Sequence, residues 1–119
     1  MSERLSRQLA YYPQDLERLL VARQHLGDTE GMAALYEPRA LVDGGGGRLC
    51  IGREAIRMFF ADLCASGQRF HVGQQQPTTV CEDLALTSTR LPDGTVTAEV
   101  ARRQADGTWL WVIDRFSIS

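Results

Sequence analysis

The chain has few cysteines, and they form no pattern that would cross-link the fold or hold a metal. Cys50, Cys64 and Cys81 are an odd number of widely spaced thiols without a Cys-x-x-Cys pair. This favours reduced thiols over a disulfide framework. His25 and His71 stand at no recognised zinc spacing. The sequence therefore predicts no metal site and a reducing, cytoplasmic environment.

An excess of positive charge and long apolar runs are also lacking. The formal net charge is −2 at pH 7, which gives no electrostatic footprint for nucleic acid. The charged N-terminus is not followed by the apolar segment of a secretory signal, and no apolar run is long enough to cross a bilayer. We therefore expect neither nucleic acid nor a membrane as a partner.

No cofactor-binding motif is present either. The only glycine-rich segment, residues 44–47, is not followed by the Gly-Lys-Ser/Thr of a phosphate-binding loop, and Asp43 beside it would repel phosphate. The segment is instead predicted to be a mobile loop or a hairpin tip. No cofactor is expected.

The length of 119 residues suits one domain spanning residues 1–119, large enough to bury a core without metals or disulfides. Residues 1–12 precede the first helical pattern and are expected to be loosely ordered. The spacing of apolar residues then predicts helices over 13–26, 28–37 and 52–66. A short strand over 40–43 is predicted to separate the last two helices.

The second half of the chain is rich in β-forming residues. Strands are predicted within 69–80, over 84–91, over 95–104 and over 109–116, with Asp-Gly turns at 93–94 and 106–107. Helices followed by an antiparallel meander are typical of an α+β fold in which helices pack on one face of a sheet.

The final predicted strand is apolar on both of its faces. Strict alternation gives one face with Trp109, Trp111 and Ile113. The other face carries Leu110, Val112, Asp114 and Phe116. A lone carboxyl in an apolar row is paired, protonated or part of a functional site.

This order of elements resembles the nuclear transport factor 2-like (NTF2-like, cystatin-like) superfamily, and within it the SnoaL-like and ketosteroid-isomerase-like proteins. The resemblance covers about residues 14–116. It is carried by these segments: Gly27-Asp28, Leu35-Tyr36, Ala40-Leu41-Val42-Asp43, Ile51-Gly52-Arg53-Glu54-Ala55-Ile56, Phe59-Phe60, Glu82-Asp83-Leu84-Ala85-Leu86, Arg102-Arg103-Gln104-Ala105-Asp106-Gly107-Thr108-Trp109 and Val112-Ile113-Asp114.

The resemblance implies a cone-shaped α+β fold, with N-terminal helices packed on a curved antiparallel β-sheet and an apolar pocket between them. It also implies a homodimer formed through the outer sheet face, which would explain the apolar Trp109 and Trp111. Among the functional positions of the steroid isomerases, the oxyanion-binding tyrosine falls on Leu20, which cannot donate. The general base falls at Gly44, one residue after Asp43, and the second acid falls on Glu99.

The candidate catalytic residues are therefore Asp114, Glu99 and Asp43. Two carboxyls among apolar walls suit general acid–base chemistry, because burial and mutual repulsion separate their pKa values. Structural alternatives remain for each: Asp114 pairs with Arg102 or Arg90, Glu99 reaches solvent, and Asp43 forms a turn.

Six further residues are predicted to contact the ligand. One of them, His71, is either a proton shuttle or a surface histidine. The predicted pocket residues are Leu20, Phe59, Phe60, His71, Val112 and Phe116.

Three functions fit this pattern. One is a cofactor-free isomerase or cyclase that acts on a small apolar carbonyl or polyketide-like compound. The other is a non-catalytic dimer that binds a hydrophobic small molecule or serves as an association module. A third is a protein-interaction domain that uses the outer face of the sheet. The sequence does not choose among them.

Overall fold

The computed structural model describes residues 7–119, which form helices on one side of a sheet. The helices are α1 (Asp15–His25), α2 (Thr29–Ala33) and α3 (Arg53–Ala65). The strands are β1 (Tyr36–Asp43), β2 (Leu49–Ile51), β3 (Gln74–Gln75), β4 (Thr79–Cys81), β5 (Leu84–Thr87), β6 (Thr89–Arg90), β7 (Ala98–Arg103) and β8 (Trp109–Arg115).

The expectation of loose order over residues 1–12 falls partly outside the described residues, which begin at Arg7. From there the chain contacts the body of the fold. Ala10 is buried and its carbonyl accepts a hydrogen bond from the Trp109 amide at 2.8 Å. Arg7 pairs with Asp28 at 2.7 Å.

The helices follow the apolar spacing in the sequence, with one correction. Helices α1 and α3 lie within the predicted ranges, and Ile56, Phe59 and Phe60 of α3 point into the core. The predicted helix over 28–37 is wrong beyond its first turns, because α2 ends at Ala33 and Tyr36 already begins β1. The Leu35 carbonyl bonds the Trp111 amide at 2.8 Å, so pairing with β8 draws this segment into the sheet.

Six strands form the main sheet in the order β2-β1-β8-β7-β5-β4, and β3 pairs with β6 separately. All pairings are antiparallel except β1 with β8, which is parallel. The predicted strand over 84–91 is broken at Ser88, whose hydroxyl donates to the Thr97 carbonyl at 2.6 Å. Glycines 44–47 form the β1–β2 hairpin tip, where the Gly44 amide bonds the Arg48 carbonyl at 2.9 Å.

The register of β8 changes at a bulge, and this overturns the predicted faces of the strand. Ala101 of β7 pairs with Trp111, and Val100, the residue before Ala101, pairs with Ile113. Val112 therefore has no partner opposite it. Inserting one unpaired residue reverses the alternation beyond it. Trp111 and Asp114 therefore face the same side of the sheet, toward the helices.

The core lies between this inner face and the helices. Trp109 and Trp111 are 6% and 1% exposed and belong to the core, so their predicted place on the outer face is wrong. The Trp111 ring packs on Tyr36 with centroids 5.0 Å apart, and Tyr36 in turn contacts Phe60. Among the described residues, no helix is long and apolar enough to span a membrane.

Candidate functional site

A cavity of about 240 Å³ lies between α1 and the inner face of β7 and β8. Residues 68–71 and 91–93 form its remaining sides. Four carboxyl-bearing side chains line it: Glu17 from α1, Glu99 and Asp114 from the opposed sheet, and Asp93 from a loop. Trp111 and Phe116 contribute aromatic walls. The cavity therefore combines acidic groups with a largely apolar surface.

Asp114 lies at the centre of the sheet wall and is 3% exposed. The Tyr36 hydroxyl donates a hydrogen bond of 2.5 Å to Asp114 Oδ2. Burial and the adjacent Glu99 raise the pKa of Asp114 well above its usual range, although the Tyr36 hydrogen bond opposes the shift. The raised pKa favours the protonated form of Asp114, and a protonated carboxyl can donate a hydrogen bond.

Glu99 pairs directly with Asp114 across β7 and β8. The Thr87 hydroxyl donates to Glu99 Oε1 at 2.7 Å. Burial raises the pKa of Glu99, while hydrogen bonds from Thr97 and Thr87 act in the opposite direction. These donors favour the ionised carboxylate, so the two neighbouring carboxyls have different environments, as an acid and a base require.

Glu17 reaches the cavity from α1. Burial, with a smaller contribution from Glu99, raises its pKa from 4.5 to about 7. Its Oε2 atom has no hydrogen-bond partner among the described residues. The side chain is thus a carboxyl that changes charge near neutral pH.

No cation neutralises these carboxyls within the described part of the chain. The predicted partners of Asp114 lie elsewhere: Arg102 pairs with Glu37 at 3.0 Å, and Arg90 is exposed on β6. Arg69 lines the cavity but forms no ion pair within the described residues. Among the residues that the structure describes, Asp114 is therefore not half of a salt bridge.

Of the six predicted pocket residues, three line the cavity. These are Leu20 on α1, His71 in the loop after α3, where it is exposed, and Phe116 after β8. Whether they bind a ligand stays a prediction.

The other three lie elsewhere. Phe59 and Phe60 are buried behind the wall, with ring centroids 5.4 and 6.3 Å from that of Phe116. They support the cavity without lining it. Val112 is the bulge residue and does not line the cavity, because the bulge removes it from the face that carries Asp114.

Asp43 is also apart from the cavity. It pairs in register with Arg115, and its Oδ2 lies 3.7 Å from Arg115 Nε on the outer face. Its Oδ1 accepts from the Gly45 amide at 3.1 Å, which is the turn role. A side chain at Gly44 would meet the Phe59 ring at 2.5 Å, so that ring occupies the space that a side chain at this position would need.

Sequence reasoning missed three residues of the site: Glu17, Tyr36 and Trp111. Glu17 had a signal, because it lies three and four residues before Leu20 and Val21 on one face of α1, and a carboxyl on an apolar helix face is unusual. The helix predicted over 28–37 included Tyr36. Strict alternation put Trp111 on the face opposite Asp114, because the bulge was not predicted. Neither misplacement is visible in the local sequence.

Three solved structures illustrate what the chain is similar to. A function-unknown protein from Mycobacterium tuberculosis matches with a TM-score of 0.70 and 20% identity, covering 86% of this chain and 66% of that one. A domain of unknown function with a cystatin-like fold from Nostoc punctiforme gives 0.70 and 20%, covering 88% and 75%. An NTF2-like protein with a cystatin-like fold from Novosphingobium aromaticivorans gives 0.61 and 20%, covering 85% and 75%.

No family model matches the chain, and no curated protein matches it. The structural likeness, at this level of identity, establishes the architecture and not the activity. It confirms the α+β class that the order of elements predicted. The chain has the NTF2-like, cystatin-like fold.

Proposed function

We propose that the protein is a cofactor-free enzyme that performs acid–base chemistry on a small, uncharged, largely apolar carbonyl compound. Isomerisation or aldol-type cyclisation needs only a proton donor, a proton acceptor and a dry cavity. The observation that carries the proposal is Asp114, which is buried on the cavity wall, hydrogen-bonded to Tyr36 and directly beside Glu99. The chain contains no lysine, so carbonyl chemistry through a lysine Schiff base is excluded.

In the proposed reaction, Asp114 donates a hydrogen bond to the substrate oxygen as negative charge develops there. Tyr36 fixes the orientation of the Asp114 carboxyl through its 2.5 Å hydrogen bond. A carboxylate of the same cavity removes the proton from carbon. Since charge is costly in a buried, largely apolar site, an uncharged substrate is favoured over an anion.

Asp114→Asn tests the proposal, because the amide preserves the shape of a protonated carboxyl but not its acidity. We expect the folded protein and its ligand binding to persist, while turnover of an accepted carbonyl substrate falls about 100-fold or more. Native mass spectrometry of the freshly purified protein, followed by denaturing analysis of any passenger, would identify the chemical class of that substrate. If the Asn variant unfolds, and its activity falls only because folded protein is lost, Asp114 is structural.

A non-catalytic dimeric binding or association module is the second candidate, and the outer sheet face supports it. One apolar row crosses five neighbouring strands there, because these residues are partners in register: Leu86, Val100, Ile113, Leu41 and Ile51. Ile113 is 44% exposed in the single chain. A contiguous exposed apolar face is typical of an association surface. A homodimer through this row replaces the predicted contacts of Trp109 and Trp111.

Ile113→Lys places a charge at the centre of this row. If the row is a symmetric homodimer interface, each partner brings one lysine into it. We therefore expect the dimer dissociation constant to rise at least about tenfold. Analytical ultracentrifugation measures the change. Leu26→Lys, at an exposed residue that ends α1 away from the sheet, is the matched control. Equal behaviour of both variants, or a monomeric wild type, would contradict the dimer.

The proposed location is the cytoplasm. Cys50, Cys64 and Cys81 are all free thiols, and Cys81 is exposed. An exposed free thiol persists most readily in a reducing compartment.

A further inference from the structure

We infer that Glu17 is the proton-accepting carboxylate of the cavity, the general base that acts opposite Asp114. This inference deepens the proposed function and rests on it. Nothing in the family resemblance points to this residue, which stands one helical turn before Leu20. Its position, the state of its oxygen atoms and the groups around it support the role.

Position is the first support. Glu17 belongs to α1, whereas Asp114 belongs to β8, and both side chains line the same cavity. Leu20 and Val21, which follow Glu17 at helical spacing, also line it. A small molecule in the cavity therefore lies between a carboxyl on the helix and a carboxyl on the sheet. Donor and acceptor on opposed walls suit removal of a proton from one atom while another is stabilised.

Hydrogen bonding is the second support. Asp114 accepts from Tyr36, and Glu99 accepts from Thr87. Glu17 Oε2 is buried and has no partner among the described residues. Because donated hydrogen bonds stabilise a carboxylate and lower its basicity, the carboxyl without them is the better proton acceptor.

The surrounding charges agree with this assignment. Glu99 and Asp114 face Glu17 from the sheet, as does the Tyr36 hydroxyl next to Asp114. The loops that close the cavity contribute three more titratable or charged groups: Arg69, His71 and Asp93. Burial raises the pKa of Glu17 to about 7, which is the range where a carboxylate is both ionised and basic enough at neutral pH.

Trp111 supplies an independent sign that the cavity receives a polar atom. Its side chain is 1% exposed and lines the cavity, and its Nε1 donor has no hydrogen-bond partner among residues 7–119. Buried donors are normally satisfied. A polar ligand atom that reaches this indole would satisfy its donor on the wall of the cavity that also carries Asp114.

The probe for this inference is 5-nitrobenzisoxazole, an uncharged aromatic compound that reports on a carboxylate base in an apolar site. The base takes the proton from the ring carbon next to nitrogen. The electrons of that carbon–hydrogen bond form the nitrile as the nitrogen–oxygen bond breaks, and the phenolate oxygen receives the electron pair. The reaction needs no other reactant, and the coloured phenolate is followed directly.

We expect the wild type to accelerate this reaction beyond acetate at equal concentration, with a rate that rises through a midpoint near pH 7. Glu17→Gln should lower the rate about 100-fold and remove the midpoint. Asp114→Asn should lower the rate but keep the midpoint. Glu54→Gln, at an exposed glutamate of α3, should behave as the wild type, and circular dichroism confirms that each variant is folded.

Two results overturn the inference in different ways. If Glu17→Gln keeps the midpoint and Glu99→Gln loses it, Glu99 is the base, and the proposed function survives without Glu17. If the wild type is no faster than acetate, the cavity holds no working base, and the proposed function falls together with the inference.

Discussion

Wild-type protein is expected to lose stability as the pH rises from 5 to 8, and Glu17→Gln is expected to remove a large part of that loss. The pKa of Glu17 is raised from 4.5 to about 7 in the folded state. Between these values the folded chain holds a proton that the unfolded chain has released. The free energy of unfolding therefore falls with increasing pH in this window.

The size of the effect follows from the shift. A difference of 2.5 between 4.5 and about 7 corresponds to about 3 kcal/mol at about 1.4 kcal/mol for each pH unit. This stability is fully present below pH 4.5 and is lost as the pH passes through about 7. Glu99 and Asp114, whose pKa values are also raised, add to the slope in the same direction.

Urea unfolding at pH 5 and pH 8 measures this. Glu17→Gln should match the wild type at pH 5 and exceed its stability at pH 8 by up to about 3 kcal/mol. Glu54→Gln should change little, because Glu54 is exposed and its pKa is lowered by Arg57. If the free energy of unfolding of the wild type rises between pH 5 and 8, the conclusion that these carboxyls are buried without a neutralising partner is wrong. The carboxyls with lowered pKa values, such as Asp28, affect stability mainly at lower pH.

Trp111→Ala is expected to destabilise the fold by about 3–5 kcal/mol, the usual cost of truncating a large buried aromatic side chain. Trp111 is 1% exposed and packs on Tyr36. Because its Nε1 has no partner among the described residues, the loss is one of packing alone. The same truncation would cost much less if the tryptophan lay on the outer face of the sheet.

Leu26→Ala is the matched control, since Leu26 lies at the C-terminal end of α1 outside the apolar row and is 75% exposed. We expect it to change the free energy of unfolding by less than about 1 kcal/mol. Urea unfolding and the oligomeric state of each folded variant are measured together. A stable Trp111→Ala protein that has merely dissociated would restore the tryptophan to an interface and contradict the bulge.

The helices and the fold class could be predicted from sequence because they depend on local patterns. The stripe of Ile56, Phe59 and Phe60 is amphipathic in any context that offers an apolar surface. The order of helices before strands then limits the architectures that can bury those stripes. The buried carboxyl of Asp114 was also predictable, since a carboxyl in an apolar row is costly unless it is used or satisfied, whereas Glu99 was found through the family resemblance.

The rest depended on contacts between distant segments. Tyr36 left a helical pattern for a strand because β8 offered its backbone a partner, and local propensity does not contain that partner. Asp43 lies apart from the cavity because it pairs with Arg115 on the outer face of the sheet. The cavity joins Glu17 to Asp114 across nearly the full length of the chain, a proximity that periodicity does not encode.

By itself, then, the sequence determined the helices α1 and α3, the α+β class and the presence of a carboxyl where water is excluded. The tertiary structure decided which side of the sheet each residue of the last strand faces. One unpaired residue at Val112 moved Trp111 onto the face of Asp114. Side chains alternate with a period of two along a strand, so a single bulge reverses every assignment on one side of it, and only the pairing with β7 reveals where it lies.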